Sequence, residues 1–455
     1  MSKEIEQNPL GTVSIGKLIY KFAIPSIIAM LVGAIYNIVD QLFIGRYVGE
    51  AGNAATSVAF PLTISCTALA LLFGIGGASS FNIAMGQKQK DKAAYYIGNS
   101  ITMLVCCGLV LFLITQVFLK QLLLFFGAPE DVLEYAMVYV RITSFGFPFL
   151  ILTTGGGHII RADGSPKMTM ICSLSGAIIN TVLDAVFVPI LGMGMFGAAL
   201  ATIIGQIFSG ILVVLYLLHY RTVTLSFKHL RIQKDYIGRI ISLGMASFFN
   251  QISLMIVQIV LNKSLTVYGA KSVYGASVAL ACSGIVMKVS QIFFAIVIGI
   301  AQGTQPIESF NYGAKNYRRV KDAYLIAIKF GAIVSVVFLI IFQCFPRPIL
   351  ALFGTEKEVA FQFGISYFRI FLFFTWLNFL QPITSTFFTS IGKAYKGIFL
   401  SLTRQIIFLL PLMIILPLFM GISGILYSAP IADFIAAFVA IFMVVREFKL
   451  MDKEV

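Results

Sequence analysis

Charge is what this sequence has least of. Lysine and arginine number 33 and aspartate and glutamate 19 in 455 residues, so 11% of the chain is charged, against roughly a quarter in an ordinary soluble domain. With 59% apolar residues, a mean hydropathy of +0.94 and apolar runs of 18 residues or more along the whole length, a water-soluble globule is excluded. The chain reads as a polytopic membrane protein. The net charge of +14 is spread over short basic clusters between the apolar runs rather than one stripe, which excludes a nucleic acid partner. Histidine is nearly absent, and His158, His219 and His229 share no ligand spacing. Cys66, Cys106, Cys107, Cys172, Cys282 and Cys344 sit in apolar stretches without a CxxC or a neighbouring His, which excludes a disulfide framework and a zinc site and suggests six buried thiols. There is no GxSxG, HExxH or Walker-type string, so nothing marks hydrolysis of an ester or a nucleotide and no enzyme is expected. The opening MSKEIEQNPLGTVSIGK lacks the short apolar core of a cleavable signal peptide, leaving targeting to the first membrane helix.

What is present in quantity is apolar length. Cutting at charge clusters and Gly/Pro/Asn punctuation gives twelve spans: 18–45, 54–82, 93–119, 132–160, 168–190, 195–220, then 237–262, 274–307, 322–346, 359–391, 397–418 and 422–446. A polar connector, Arg221 to Tyr236, separates the sixth from the seventh. The expected domains are therefore a six-helix lobe over 1–220, a cytoplasmic linker over 221–236 and a second lobe over 237–455. Basic residues in short loops stay cytoplasmic, and with the N-terminus inside, 22 fall on the inner side and 6 on the outer. Both termini are thus predicted to be cytoplasmic, in a multi-pass protein of the cell (inner) membrane.

The halves repeat. Gly49–Ala59 pairs with Gly269–Ala279 at an offset of 220, and later matches sit at 227 or 228: Phe126-Gly127 with Phe353-Gly354, Tyr139–Ile142 with Tyr367–Ile370, Gly164 with Gly392, Gly197 with Gly424. An even number of spans per half gives both repeats the same orientation, with a cavity between the lobes. The predicted fold is an all-α integral membrane protein, twelve transmembrane helices in two pseudo-symmetric six-helix bundles of the same orientation. This is transporter architecture.

A carboxylate in hydrocarbon costs several kcal/mol and is retained for function. Four acids lie within spans: Asp40, Asp184, Glu308 and Asp433. Asp40 is six residues before Arg46 and Asp184 seven before Leu191, so at the helical rise both lie about 9–10 Å below the outer end. Tyr36 and Asn180 sit one turn further in on the faces of their acids, and Thr202 and Tyr139 reach a similar depth on spans 6 and 4. Two carboxylates with an amide and a hydroxyl suit an alkali cation, and two nearby carboxylates can equally share a proton. The alternative is structural: Asp40 bonding near the interface, Asp184 across a packing seam.

Over nearly its whole length the chain resembles the multidrug and toxic compound extrusion (MATE) transporters. The resemblance rests on PSIIAMLVGAIYNIVDQLFIGRYVG (25–49), GIGGASSFNIAMGQKQKDKA (74–93), RADGSPKM (161–168), NTVLDAVFVPILGMGMFGAALAT (180–202) and GIAQGTQPIESFNYGAKNYRRVKDA (299–323). It implies secondary active export of cationic or amphipathic organic compounds in exchange for protons or sodium by alternating access. It also implies a cation-coupling site, with sodium as the possible metal, at Asp40, Asn180, Asp184 and Thr202. No cofactor is expected beyond the coupling ion, H+ or Na+. The expected partners are small-molecule drugs or toxic organic cations and the lipid bilayer, with the chain acting as a monomer. One branch of the family also places acids on helices 7 and 10, whereas here span 7 offers Asn250, Gln251, Gln258 and Asn262 and span 10 offers Asn378 and Gln381.

Tyr36, Tyr139, Gln251 and Lys288 are the candidate substrate-cavity residues. Glu308 and Arg404 lie near the same end of spans 8 and 11, which predicts an ion pair between them, and Asp433 has no evident partner. The rival reading is a lipid-linked oligosaccharide flippase of the same superfamily, which would need several basic residues in its cavity; only Arg141, Lys288, Arg369 and Arg404 are available within spans near it.

Overall fold

The computed structural model describes residues 8–353 and 357–453; Lys3 and Gly354, used above, lie outside them. The described residues form helices and their connections. We label the membrane helices α1 (Ile15–Tyr47), α2 (Glu50–Gly86), α3 (Lys90–Val117), α4 (Val132–Ala162), α5 (Pro166–Ile190), α6 (Gly194–Leu217), α7 (Lys234–Ala270), α8 (Ala276–Gly313), α9 (Tyr317–Cys344), α10 (Glu358–Phe371 with Leu380–Ser390), α11 (Ala394–Met420) and α12 (Ile422–Met451). All but α10 are continuous enough to cross a bilayer by length and composition.

The tenth helix corrects the expectation of one span over 359–391. It is interrupted between Phe371 and Leu380, where the backbone turns through Thr375 N to Leu372 O at 3.1 Å, Leu377 N to Phe374 O at 2.8 Å and Asn378 N to Thr375 O at 3.1 Å. These i to i−3 bonds keep the polar backbone satisfied, which any break at membrane depth requires. The residues concerned, LFFTWLNF, include no Gly or Pro, so nothing in the sequence marked the interruption. Two other expectations also change. Lys234 to Tyr236, assigned to the linker, are the first turn of α7. The cysteines are not uniformly buried: Cys66, Cys172 and Cys282 are, whereas Cys106 and Cys344 face outward from the bundle.

Backbone conformation shows the repeat more sharply than residue matching does. Left-handed φ values occur at Gly49 and Gly275 (+90° and +79°), Lys88 and Lys315 (+63° and +58°), Gly164 and Gly392 (+81° and +77°), and Gly194 and Gly421 (+54° and +58°). Gly49 and Gly275 are the N-caps of α2 and α8. Their correspondence replaces the pairing of Gly49 with Gly269, because the turn that opens the helix, and not the residue string around it, is what the repeat preserves. The left-handed region explains why glycine stands at such corners.

Within the first lobe α1 packs on α5 and α5 on α6, and the lobes meet where α1 lies against α8 and α2 against α7. That contact is a seam of small residues in the half of the bundle carrying residues 8 and 453. A Cβ on Gly299 would come within 2.6 Å of the Ile27 Cα, and one on Gly303 within 2.5 Å of the Ala23 Cα. Gly76 and Gly244 let α2 and α7 approach in the same way, as expected where helices associate by backbone proximity. Across the seam Gln305 Nε2 donates to Ser79 Oγ at 2.8 Å and Asn311 Nδ2 to the Leu10 carbonyl at 2.9 Å. Toward the other end a cavity of about 450 Å³ opens between α1, α2 and α8.

Candidate functional site

The structure brings together all six polar residues that depth arithmetic had placed at one level of the first lobe. α1 carries Asp40 into its contact with α5, where Asp184 lies within hydrogen-bond reach. Asp40 is 8% exposed and Asp184 1%. Tyr36 and Tyr139 lie beside the pair, with Tyr139 in reach of Thr202. Asn180 bridges α5 and α6. In the amide orientation its neighbours require, Nδ2 donates to Asp184 Oδ2 at 3.2 Å and Oδ1 accepts from the Thr202 backbone N–H at 3.2 Å. The Thr202 hydroxyl donates to the Ala198 carbonyl at 3.0 Å, which leaves its lone pairs turned elsewhere.

One oxygen of each carboxylate, Asp40 Oδ1 and Asp184 Oδ1, is buried and without a hydrogen bond. Buried carboxylate oxygens are expensive to leave so, and two adjacent carboxylates repel unless something positive stands between them. Neither a lysine nor an arginine forms an ion pair with this couple among the described residues. The donor set of two carboxylates, an amide and a hydroxyl is one of hard oxygens, suited to an alkali cation or, across the two acids alone, to a proton. Just beyond Asp184, α5 passes into a π-helical turn over Val186–Ile190, which contains Pro189; the Leu191 N–H bonds back to Val186 O at 3.0 Å. Proline cannot donate to an α-helical ladder, and single π turns of this kind recur at functional positions.

The second lobe is arranged differently. Arg404, on a π-helical stretch of α11 (Thr403–Leu409), donates through Nε to Asp433 Oδ1 on α12 at 2.6 Å. This corrects the expected Arg404–Glu308 pair and supplies the partner that Asp433 lacked in the sequence. The reason is packing: α11 lies along α12, so the facing side of α12 reaches Arg404 first. Glu308 is 1% exposed, and both its oxygens lack a hydrogen bond. Glu447, fully buried, pairs with both Lys393 and Lys396.

Of the candidate cavity residues, Lys288 lines the space between the lobes, with Gln41 across from it on α1. Gln251 is half-buried on α7 and is not among the residues that line this cavity; Tyr36 and Tyr139 belong to the carboxylate cluster instead. Sequence reasoning missed Arg46, Asn53, Thr56 and Ser57, which share the cavity with Lys288. The available signal was that Arg46 and Lys288 are basic residues at or within predicted spans 1 and 8.

Comparison with known proteins agrees along the whole chain. The family model MatE matches residues 25–186 and 246–415. The chain is 27% identical over 433 residues to the multidrug export protein MepA of Staphylococcus haemolyticus, covering 95% of this chain and 93% of that one. The MepA protein of Staphylococcus saprophyticus is 24% identical over 446 residues, covering 97% and 96%. Among solved structures, an outward-facing multidrug resistance MATE family transporter of the MOP superfamily superposes with a TM-score of 0.89 at 24% identity, covering 96% and 97%. A MOP superfamily transporter from Pyrococcus furiosus, described as having a binding pocket of reverse polarity, gives 0.90 at 23% identity over 98% of both chains.

Proposed function

The chain belongs to the MatE family of transporters, and on that premise we propose that it exports amphipathic organic compounds in exchange for protons or sodium. It is a multi-pass membrane protein and not an enzyme. The observation that carries the proposal is the Asp40–Asp184 couple, buried with two open oxygens among Asn180, Thr202 and Tyr139 and without an ion-paired base among the described residues. A couple so placed holds a positive ion in one state of the transport cycle and releases it in another, which is the property a coupled exchanger needs.

The lobes are taken as 1–220 and 234–455, joined by 221–233, with sites alternately exposed as one lobe rocks against the other. On the basic-residue asymmetry the end carrying both termini is cytoplasmic. The glycine seam then closes the cytoplasmic half, and the cavity faces outward. Cysteines introduced into 221–236 are expected to label only from the cytoplasmic side; labelling from outside intact cells would invert the orientation. The function itself is tested by drug efflux from everted vesicles under an imposed proton or sodium gradient. Export that ignores both gradients would overturn coupling, and gradient-driven export lost in Asp40→Asn would support it.

A further inference from the structure

The cavity between the lobes has a chemistry of its own. Its charged lining residues are Lys288 and Arg46, and Gln41, Asn53, Thr56 and Ser57 add neutral hydrogen-bonding groups. No acidic side chain lines it among the described residues. Lys288 lies twelve residues into α8 from Ala276 and meets the cavity at the level of Gln41 to Arg46 on α1, in the outer half of the membrane-spanning region. An ammonium group there is costly and ordinarily meets a carboxylate.

Some bases of this chain meet a carboxylate, while Arg161, 3% exposed, forms no ion pair among the described residues. Arg404 is answered by Asp433, and Lys393 and Lys396 by Glu447. Lys288 has neither an ion pair nor a hydrogen bond among the described residues, and Arg46 has only its contact with the Tyr47 ring, 6.0 Å from the centroid. Of the acids close by in sequence, Asp40 is committed to Asp184 inside the first lobe, and the Glu50 side chain lies outside the described ones. The cavity therefore presents positive charge, backed by neutral donors and acceptors, in an open volume of about 450 Å³.

We propose that this cavity is an anion-binding subsite: it selects amphipathic compounds that carry a carboxylate or sulfonate, the anionic group pairing with Lys288 and with Arg46 nearer the mouth. The proposal rests on the exporter reading for the word substrate, while binding itself needs no coupling. An anionic group at Lys288 replaces the missing carboxylate, whereas an organic cation would meet two like charges at close range. Discrimination thus comes from repulsion of the wrong charge as much as from attraction of the right one.

The test is equilibrium binding to the full chain in nanodiscs of zwitterionic lipid, using a dansylated amino acid as the carboxylate probe and rhodamine 6G as the cation. Wild type is expected to bind the carboxylate at least about tenfold more tightly than the cation. Lys288→Gln should weaken the carboxylate by about tenfold or more and leave the cation equal or tighter, and Arg46→Gln should weaken the carboxylate by about threefold. Lys288→Arg should restore most of the affinity, which a merely structural lysine would not require. Preference for the cation, or carboxylate affinity untouched by Lys288→Gln, overturns the proposal. Repeating the titration with phosphatidylglycerol in the nanodisc separates two sources of anion. Displacement of the probe that requires Lys288 supports the subsite and assigns its occupant to a lipid phosphate, and no displacement supports a soluble amphiphile. Carboxylate binding in a protein that exports nothing would sink the exporter reading and leave the subsite standing.

Discussion

The two lobes share one backbone plan and, Glu308 apart, dispose of their intramembrane acids differently. In the second, Asp433 is neutralised by Arg404 and Glu447 by Lys393 and Lys396. In the first, Asp40 and Asp184 face one another with no base, and an amide and a hydroxyl complete the surroundings. Both fifth helices carry their charged residue at or beside a π turn, Asp184 before Val186–Ile190 and Arg404 within Thr403–Leu409. A fixed ion pair holds its helices in one arrangement, whereas an unneutralised pair changes its interactions whenever a cation enters or leaves. If Asp40 and Asp184 couple ion to drug as proposed, switching falls to the first lobe and the steadier scaffold to the second.

The sharpest way to break this contrast is to remove charge from each lobe in turn. Asp40→Asn and Asp184→Asn should each abolish gradient-driven export, with expression and melting temperature near wild type, because an amide no longer alternates between ion-bound and ion-free states. Wild-type drug resistance in either variant would remove that acid from the coupling site. Asp433→Asn should do the reverse. Leaving Arg404 buried and unpaired is expected to cost about 3–5 kcal/mol of stability, read as a lowered unfolding temperature, with the ion dependence of export per folded molecule retained. The double variant Arg404→Met, Asp433→Leu should recover most of that loss; if it does not, the pair has a role beyond neutralisation.

Smaller effects sharpen the comparison. Asn180→Ala and Thr202→Val should reduce sodium dependence by several-fold and proton dependence less, because a proton needs no ligand shell while a metal ion does. Equal losses under both gradients would show that the two residues only pack α5 against α6. The smallest effect is expected for Glu308→Gln. Its carboxyl is buried, with Ser390 in reach and no ion pair among the described residues, so an isosteric amide should shift stability by less than about 1 kcal/mol and leave the coupling ion unchanged. Collapse of export in this variant would give the second lobe an ion-linked acid and end the contrast.

Depth was legible in the sequence and facing was not. Rise per residue is fixed, so counting from Arg46 and Leu191 placed Asp40 and Asp184 at one level, and the same count brought Asn180, Thr202, Tyr36 and Tyr139 to them. Rotation about each helix depends on which neighbour it packs against. That is why Arg404 was matched to Glu308 by height while the α11–α12 contact gives it Asp433. The break in α10 was silent because its turn is made by aromatic and polar residues without Gly or Pro. The repeat was visible, yet its first correspondence slipped because matching letters favoured Gly269 over Gly275, whose left-handed φ marks the true corner.

The glycine seam bears on how fast the lobes can separate. Where Gly299 and Gly303 meet Ile27 and Ala23, the second lobe contributes backbone alone. Separating the helices at these two positions unlocks no side chain of that lobe, and rejoining them there freezes no rotamer of it. At these two glycines the hold is dispersion over many close atoms, which fades within an ångström or so of separation, while Gln305 and Asn311 add hydrogen bonds further along the seam. A contact of that kind is stiff while closed and lets go over a short distance. A valine at Gly303 would wedge the seam, and its signature would be a changed rate of opening rather than a changed affinity for ion or drug.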